Sequence, residues 1–293
     1  MLLTASTSEA YAFLFKLLCD AGDEVLVPSP SYPLFEHLAE LECVRLAPYR
    51  LAYDGAWHVD LDSVRGAVTA RTRAVIVVSP NNPTGNYLSV REAAALDELG
   101  LPIISDEVFF EYPLDAPARP WTGGSALRFG MGGLSKLAGS PQLKLAWTIL
   151  SGPEAARREA RERLELIADT FLSVGSAVQQ ALPELLEVAP AVTSAIQARC
   201  RQNLERLKAL LAGSSVTPLR VEGGWSAVLR LPNVTTEDDF VLGLVRERSV
   251  LVQPGWFYDF ESEPFVIVSL LTEAARFGEG IEQLARHVVQ LGG

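Results

Sequence analysis

The run Arg73-Ala74-Val75-Ile76-Val77-Val78-Ser79 limits the fold of this chain more than any other stretch, because it is apolar from Ala74 to Val78 and rich in β-branched residues. A strand with one wet face alternates apolar and polar side chains. A run without alternation must be covered on both faces, which is the situation of a central strand in a parallel sheet. Parallel neighbours need crossover connections, usually helices. The rest of the first half agrees. Met1 to Thr4, Val25-Leu26-Val27-Pro28, Val44 to Pro48, Pro102-Ile103-Ile104-Ser105 and Leu145 to Leu150 read as further strands. Helical spacing starts at the capping box Ser6-Thr7-Ser8-Glu9 and runs to Gly22, recurs near Leu61 to Val68, and follows a second capping box at Ser89-Val90-Arg91-Glu92 to about Leu99. The expected class is α/β, with a mostly parallel sheet covered by helices on both faces.

The second half reads differently. Pro153 to Leu182 predicts one or two helices, and Val192 to Leu211, after Pro190, a long connector helix. Strands are expected over Val216 to Val221, Ala227 to Leu231, Val250 to Gln253 and Phe265 to Leu270, with helices over Thr236 to Arg248 and near Glu279 to Leu291. That is a small α+β domain, so the expected division is 1–190 for a large domain and 191–293 for the connector and a small C-terminal domain. Trp225, Trp256, Phe257, Tyr258 and Phe260 read either as core or as an apolar wall over a crevice.

Several function classes drop out on composition. Acidic residues outnumber basic ones 36 to 25, which argues against a surface for nucleic acid. No apolar run reaches the roughly 18 residues of a membrane span, and the first residues lack a basic leader, so a cytoplasmic protein is expected. Cys19, Cys43 and Cys200, like His37, His58 and His287, are scattered without metal or disulfide spacing.

Ligand-directed residues fall just past the strands. Pro80-Asn81-Asn82-Pro83-Thr84-Gly85 uses two prolines and a glycine to hold paired asparagines beyond the central strand, where α/β proteins bind ligands. Ser29-Pro30-Ser31-Tyr32-Pro33 is a stiff turn presenting one aromatic ring. Asp106 ends a strand, as the partner either of a cationic ring nitrogen or of a structural ion pair. The first turn at Ser6, Thr7 and Ser8 suits a phosphate as well as it suits an ordinary cap. Lys136 lies between glycine-bearing segments in Phe129 to Lys144, where backbone and ligand approach closely; partly desolvated, it would be a nucleophilic amine able to condense with an aldehyde.

In this order Ser6-Thr7-Ser8, Tyr32, Asn81-Asn82-Pro83-Thr84-Gly85, Asp106 and Ser135-Lys136 closely resemble the motifs of the class I/II aminotransferases, fold-type I pyridoxal-phosphate enzymes, and the resemblance spans essentially the whole chain. It implies pyridoxal 5′-phosphate held as a Schiff base on Lys136, Asp106 on the pyridine nitrogen, Asn82 on the phenolic oxygen and Tyr32 stacked on the ring. Ser6, Thr7, Ser8 and Lys144 would hold the phosphate, and Ser135 would also bind the cofactor. It also implies a homodimer acting on a small-molecule amino donor and a keto acceptor. A lyase or decarboxylase on the same cofactor, or a cofactor-binding protein with little catalysis, are the alternatives.

The chain departs from the family pattern in four places. Phe109 stands where a tyrosine donates to the phenolic oxygen, and Lys144 where an arginine grips the phosphate bidentately. Ile267 stands where an arginine clamps the substrate carboxylate, leaving that task to a displaced group such as Arg276 or an amide, or to no group where the substrate is an amine without an α-carboxylate. The sequence also begins inside the first motif, so the segment that completes the small domain in the family is expected to be missing.

Overall fold

The chain, described here from a computed structural model, is defined over residues 1–293 except 116, 119, 122, 263 and 293. Its first half builds one sheet. In chain order come β1 (Leu2–Thr4), α1 (Thr7–Leu18), β2 (Glu24–Ser29), α2 (Phe35–Leu41), β3 (Arg45–Tyr53), β4 (Trp57–Val59), α3 (Leu61–Ala67), β5 (Thr72–Val78), α4 (Val90–Asp97), β6 (Ile103–Asp106), β7 (Arg128–Gly133), α5 (Leu134–Leu137) and β8 (Ala146–Ser151). The strand order is β1-β8-β7-β6-β5-β2-β3-β4. Strands β3, β2, β5, β6 and β7 run parallel, β4 and β8 run against them, and β1, antiparallel to β8, points the same way as the parallel set.

Strand β5 is central, and its composition follows from that. Ala74, Ile76 and Val78 point into the core beneath α1, with Phe13, Leu14 and Ile104, whereas Val75 and Val77 point into the opposite core with Leu26, Leu96 and Ile103. Each fully buried aliphatic side chain contributes about 1.5–3 kcal/mol, so neither face tolerates a polar residue.

The second half contains α6 (Glu154–Phe171), α7 (Ser176–Leu211), β9 (Thr217–Pro218), β10 (Ser226–Arg230), α8 (Glu237–Arg248), β11 (Gln253–Pro254), β12 (Phe265–Ser269) and α9 (Ala274–Gly292). An antiparallel sheet ordered β11-β12-β10-β9 packs its Val266 and Val268 face on α7, α8 and α9, through Leu204, Leu207, Leu244 and Leu284. Among the described residues, no helix is long and apolar enough to cross a membrane.

Several sequence expectations need correction. No break separates the helix predicted before Pro190 from the connector after it: α7 runs 36 residues through Pro183 and Pro190. A proline inside a helix costs about 3 kcal/mol, and tertiary packing overrides it here. Val178, Leu182, Leu185 and Ala189 pack on Leu134 and Leu145, while Cys200, Leu204, Leu207 and Leu211 continue the stripe into the second core. Helix α1 stops at Leu18 rather than Gly22, and the strands expected over Val216 to Val221 and Val250 to Gln253 shrink to two residues each. The glycine-bearing segment ahead of Lys136 is strand β7 despite its low β propensity. A Cβ on Gly132 would lie 2.6 Å from the indole nitrogen of Trp147, so this ring occupies the groove that the glycine leaves.

The two halves meet at a pair of glycines. Gly223 donates its N–H to the carbonyl of Gly85 at 2.8 Å. A Cβ on Gly85, whose φ is +75°, would lie 2.6 Å from the Gly223 carbonyl oxygen, and one on Gly223 would lie 2.7 Å from the Tyr87 ring.

Candidate active site

Because β2, β5, β6 and β7 point the same way, their carboxyl ends share one edge of the sheet, and the connections leaving those ends converge there. They enclose a cavity of about 200 Å³. It is lined by Ser6, Thr7 and Ser8 at the start of α1, Tyr32 after β2, Asn82 after β5, Asp106 at the end of β6, and Ser135 and Lys136 on α5 after β7, with Val78, Val108, Phe109, Gly133 and Ala146 between them. Residues as far apart in sequence as Ser6 and Ala146 are thus gathered by topology.

Asp106 closes one end. It is 6% exposed, and its Oδ2 accepts the hydroxyl of Tyr11 at 3.1 Å while Oδ1 accepts the N–H of Val108 at 3.2 Å. Burial pushes its carboxyl up to about 6, against the opposing pull of those two donors and of Lys136. Sequence reasoning missed Tyr11. It lies one helical turn beyond Thr7 and Ser8, on the same side of α1, but nothing in that spacing separates it from the other apolar-face residues of the helix.

Lys136 faces this carboxylate from the other side of the sheet edge. Burial lowers its ammonium below the usual lysine range, and the charge of Asp106 opposes that shift. Its Nζ lies 5.6 Å from the ring centroid of Phe109 and 5.4 Å from that of Trp225. At this range the rings attract the cation, and their bulk covers part of it. The backbone around it is clamped twice: Tyr112 donates to the Lys136 carbonyl at 2.5 Å, and Thr193 of α7 donates to the Leu137 carbonyl at 2.6 Å. Of the five aromatic residues read as core or wall, Trp225 alone stands against Lys136. Trp256 and Phe257 are exposed, Tyr258 is buried, and Phe260 packs on Trp57 and Phe265.

The paired asparagines divide their work. Asn82 lines the cavity. Asn81 is buried and ties two loops together: its Oδ1 accepts from Ser31 at 2.7 Å, and its Nδ2 donates to the Pro30 carbonyl at 3.0 Å and to Thr84 at 2.7 Å. It therefore fixes the backbone on which Tyr32 is presented. Tyr32 is half-buried, and its ring meets Phe35 edge-on at 5.8 Å.

The opposite end is built differently. Ser6 caps α1, its hydroxyl accepting from the N–H of Glu9 at 3.2 Å, so the first amides and the hydroxyls of Thr7 and Ser8 face the cavity with Ser135 across from them. Lys144 does not join this group. It follows the short helical turn Pro141–Leu143 with a left-handed backbone, φ +51°, and is exposed. Ile267 is 3% exposed in β12, opposite Val228 and packed with Leu219, Tyr258 and Phe265, and it is not among the lining residues. Arg276 is exposed in the first turn of α9, beside Val250 and Ser269. Among the described lining residues Lys136 is the one cation and Asp106 the one anion.

The sequence model of the family described as "Aminotransferase class I and II" matches residues 1–275. The glutamate-pyruvate aminotransferase AlaA of Haemophilus influenzae is 26% identical over 293 residues, covering 95% of this chain and 72% of the relative. Among solved structures, tyrosine aminotransferase from Leishmania infantum superposes with a TM-score of 0.88 at 21% identity, over 99% of this chain and 74% of that one. Alanine aminotransferase from Pyrococcus furiosus gives 0.88 at 23% identity, over 98% and 76%. These two likenesses concern the fold.

Proposed function

The chain belongs to the class I and II aminotransferases, and from that membership we propose a pyridoxal 5′-phosphate enzyme that moves an amino group between an amine or amino acid and a keto compound, with Lys136 as the residue that holds the cofactor. The observation that carries this reading is the meeting, in one cavity, of a desolvated lysine and a fully buried carboxylate opposite a hydroxyl-bearing helix start. The residues fit the group. A carboxylate buried to this degree wants a countercharge, which a protonated ring nitrogen supplies, and the amides, hydroxyls and positive dipole end of α1 suit a phosphate.

Pyridoxal phosphate, when bound, supplies a carbonyl that reacts with amines and a ring that takes up the electron pair left at the substrate carbon. The chain supplies the rest. Lys136 is the residue that would hold the cofactor, through Nζ, and the base that would carry the proton at the substrate α-carbon. Asp106 holds a proton on the ring nitrogen. Asn82 would orient the phenolic oxygen, unaided by Phe109, which has no donor, and Tyr32 would cover the ring. Phe109 and Trp225 cover part of the Lys136 amine.

To test the assignment, the loaded protein is reduced with borohydride and digested; the cofactor is expected on the peptide carrying Lys136. Label on Lys144 or Lys208 would overturn it. Turnover is expected to give a keto product and the aminated cofactor, whereas release of ammonia or carbon dioxide would indicate a lyase or decarboxylase.

Two finer assignments follow. The absence of a second cation among the described lining residues supports a preference for amines without an α-carboxylate; a wild type that strongly prefers common α-amino acids to matched amines would refute it. We also assign residues 1–190 to a cofactor-binding domain and 191–293 to a small domain, in a homodimer. Exposed apolar side chains on α6, α7 and the turn between them, Leu166, Leu172 and Val188, support a covering partner. Light scattering showing a stable, cofactor-loaded monomer would contradict the dimer.

A further inference from the structure

We propose that Tyr11 is a positioning residue for the site just described: its hydroxyl fixes the Asp106 carboxylate in one orientation and in its ionised form, ready to meet the ring nitrogen of the cofactor. The inference rests on the aminotransferase reading for the identity of that ring, and on geometry for the rest.

Tyr11 is 1% exposed. Its ring is wedged between Phe15, with centroids 6.1 Å apart, and Phe35, met edge-on at 5.3 Å, and Phe35 in turn packs on Tyr32. The hydroxyl is therefore delivered to Asp106 by a packed ring with no room to swing. With Oδ2 held by Tyr11 and Oδ1 by the Val108 N–H, the carboxylate is pinned at both oxygens and cannot rotate. Burial also keeps the phenol itself from ionising, so it remains a donor at any working pH.

Four titratable side chains face Asp106: Tyr11 from α1, Tyr32 from the turn after β2, Glu107 beside it and Lys136 from α5. Lys136 would leave this balance as a free ammonium once its amine is joined to the cofactor. Tyr11 is then the remaining side chain that favours the carboxylate over the acid. Without it, the proton shared between carboxyl and ring nitrogen moves toward the carboxyl, and the ring draws electrons less strongly. Helix α1 also sets a distance. Tyr11 lies three residues beyond Ser8, or about 4.5 Å along a helix axis, so one rigid element spaces the phosphate-facing hydroxyls from the group that orients the nitrogen partner.

The test uses apoprotein carrying ¹³C-carboxyl aspartate, observed by NMR across pH, with Asp106→Asn to assign the signal. In Tyr11→Phe, which keeps the ring and its packing, the Asp106 titration is expected to move up by about one pH unit, a tenfold change in proton affinity. Affinity of the apoprotein for pyridoxal phosphate, followed by fluorescence quenching, is expected to fall about tenfold, with its pH dependence displaced in step. Should Tyr11→Phe fold poorly, 3-fluorotyrosine at position 11 keeps the size and strengthens the donor, and the titration should move down instead. An Asp106 titration unchanged in either variant would overturn the proposal and leave Tyr11 a packing residue. If the wild-type apoprotein takes up no pyridoxal phosphate, the aminotransferase reading of the site fails, while the carboxyl titration still judges the tyrosine.

Discussion

The two ends of the cavity solve the problem of holding charge in opposite ways. At the Asp106 end the polar groups are side chains, buried and few, each with one or two fixed partners. At the Ser6–Ser8 end they are amides and hydroxyls at the mouth of a helix, half-buried, with Ser135 opposite. An unpaired group in the first setting bears the full cost of desolvation, whereas water can replace a lost partner in the second. The comparison teaches where substitutions should matter: a change of one atom at the closed end should outweigh the loss of a whole side chain at the open one.

Lys136 stands between the ends and sets the scale. Lys136→Ala is expected to abolish turnover while leaving a folded protein, checked by steady-state assay and circular dichroism; measurable turnover above background would remove the lysine from the reaction.

Next in size is the closed end. Asp106→Asn should lower the rate by at least about a hundredfold, because an amide does not hold a proton on the ring nitrogen. The same residue should leave a mark on the apoprotein. Its folded-state carboxyl lies at about 6, above the ordinary 3.8. The folded form thus binds the proton more tightly than the unfolded one, and stability falls as pH rises through that window. The loss should be on the order of 2 kcal/mol between about pH 4 and pH 6.5, and Asp106→Asn should be flatter over the same range in urea unfolding. A wild type equally stable at both pH values would mean that water reaches Asp106.

Smaller effects belong to the open end. Ser8→Ala should weaken cofactor binding about tenfold, the worth of one hydrogen bond to a charged group. Lys144→Ala should change it less than about fivefold, since an exposed charge is screened. If Lys144→Ala proves the more damaging of the two, the open end extends further along the turn after α5 than its lining indicates.

The same contrast explains what could be read from the sequence. Periodicity exposed the sheet, because the apolar run 74–78 has to be covered on both faces, and the caps at Ser6 and Ser89 marked helix starts. Asp106, Asn82 and Lys136 were legible because they follow strands directly, and strand ends are where an α/β sheet gathers its ligand groups. What escaped depends on side chains meeting across the fold. Tyr11 looks like any apolar-face residue of α1 until Asp106 is placed beneath it. Trp225 looks like core until α5 is brought against it. The continuity of α7 through two prolines was hidden too, since the strength of its stripe depends on Leu134, Leu145 and the second core.

The Gly85–Gly223 contact carries a consequence for how such a chain can drift. The loop presenting Asn82 and the strand connection ahead of β10 touch backbone to backbone, and shortening the flanking Val221 or Tyr87 side chains would still leave the carbonyl oxygens of Gly223 and Tyr112 at 2.6 Å and 2.9 Å from an added Cβ. Most contacts in a protein can be renegotiated one residue at a time, a large partner shrinking as a small one grows. Here neither side has anything to give up. A side chain gained at either position has no compensating loss available at the other, so a lineage leaves this arrangement only by rebuilding both loops together or by abandoning the contact between the two sheets.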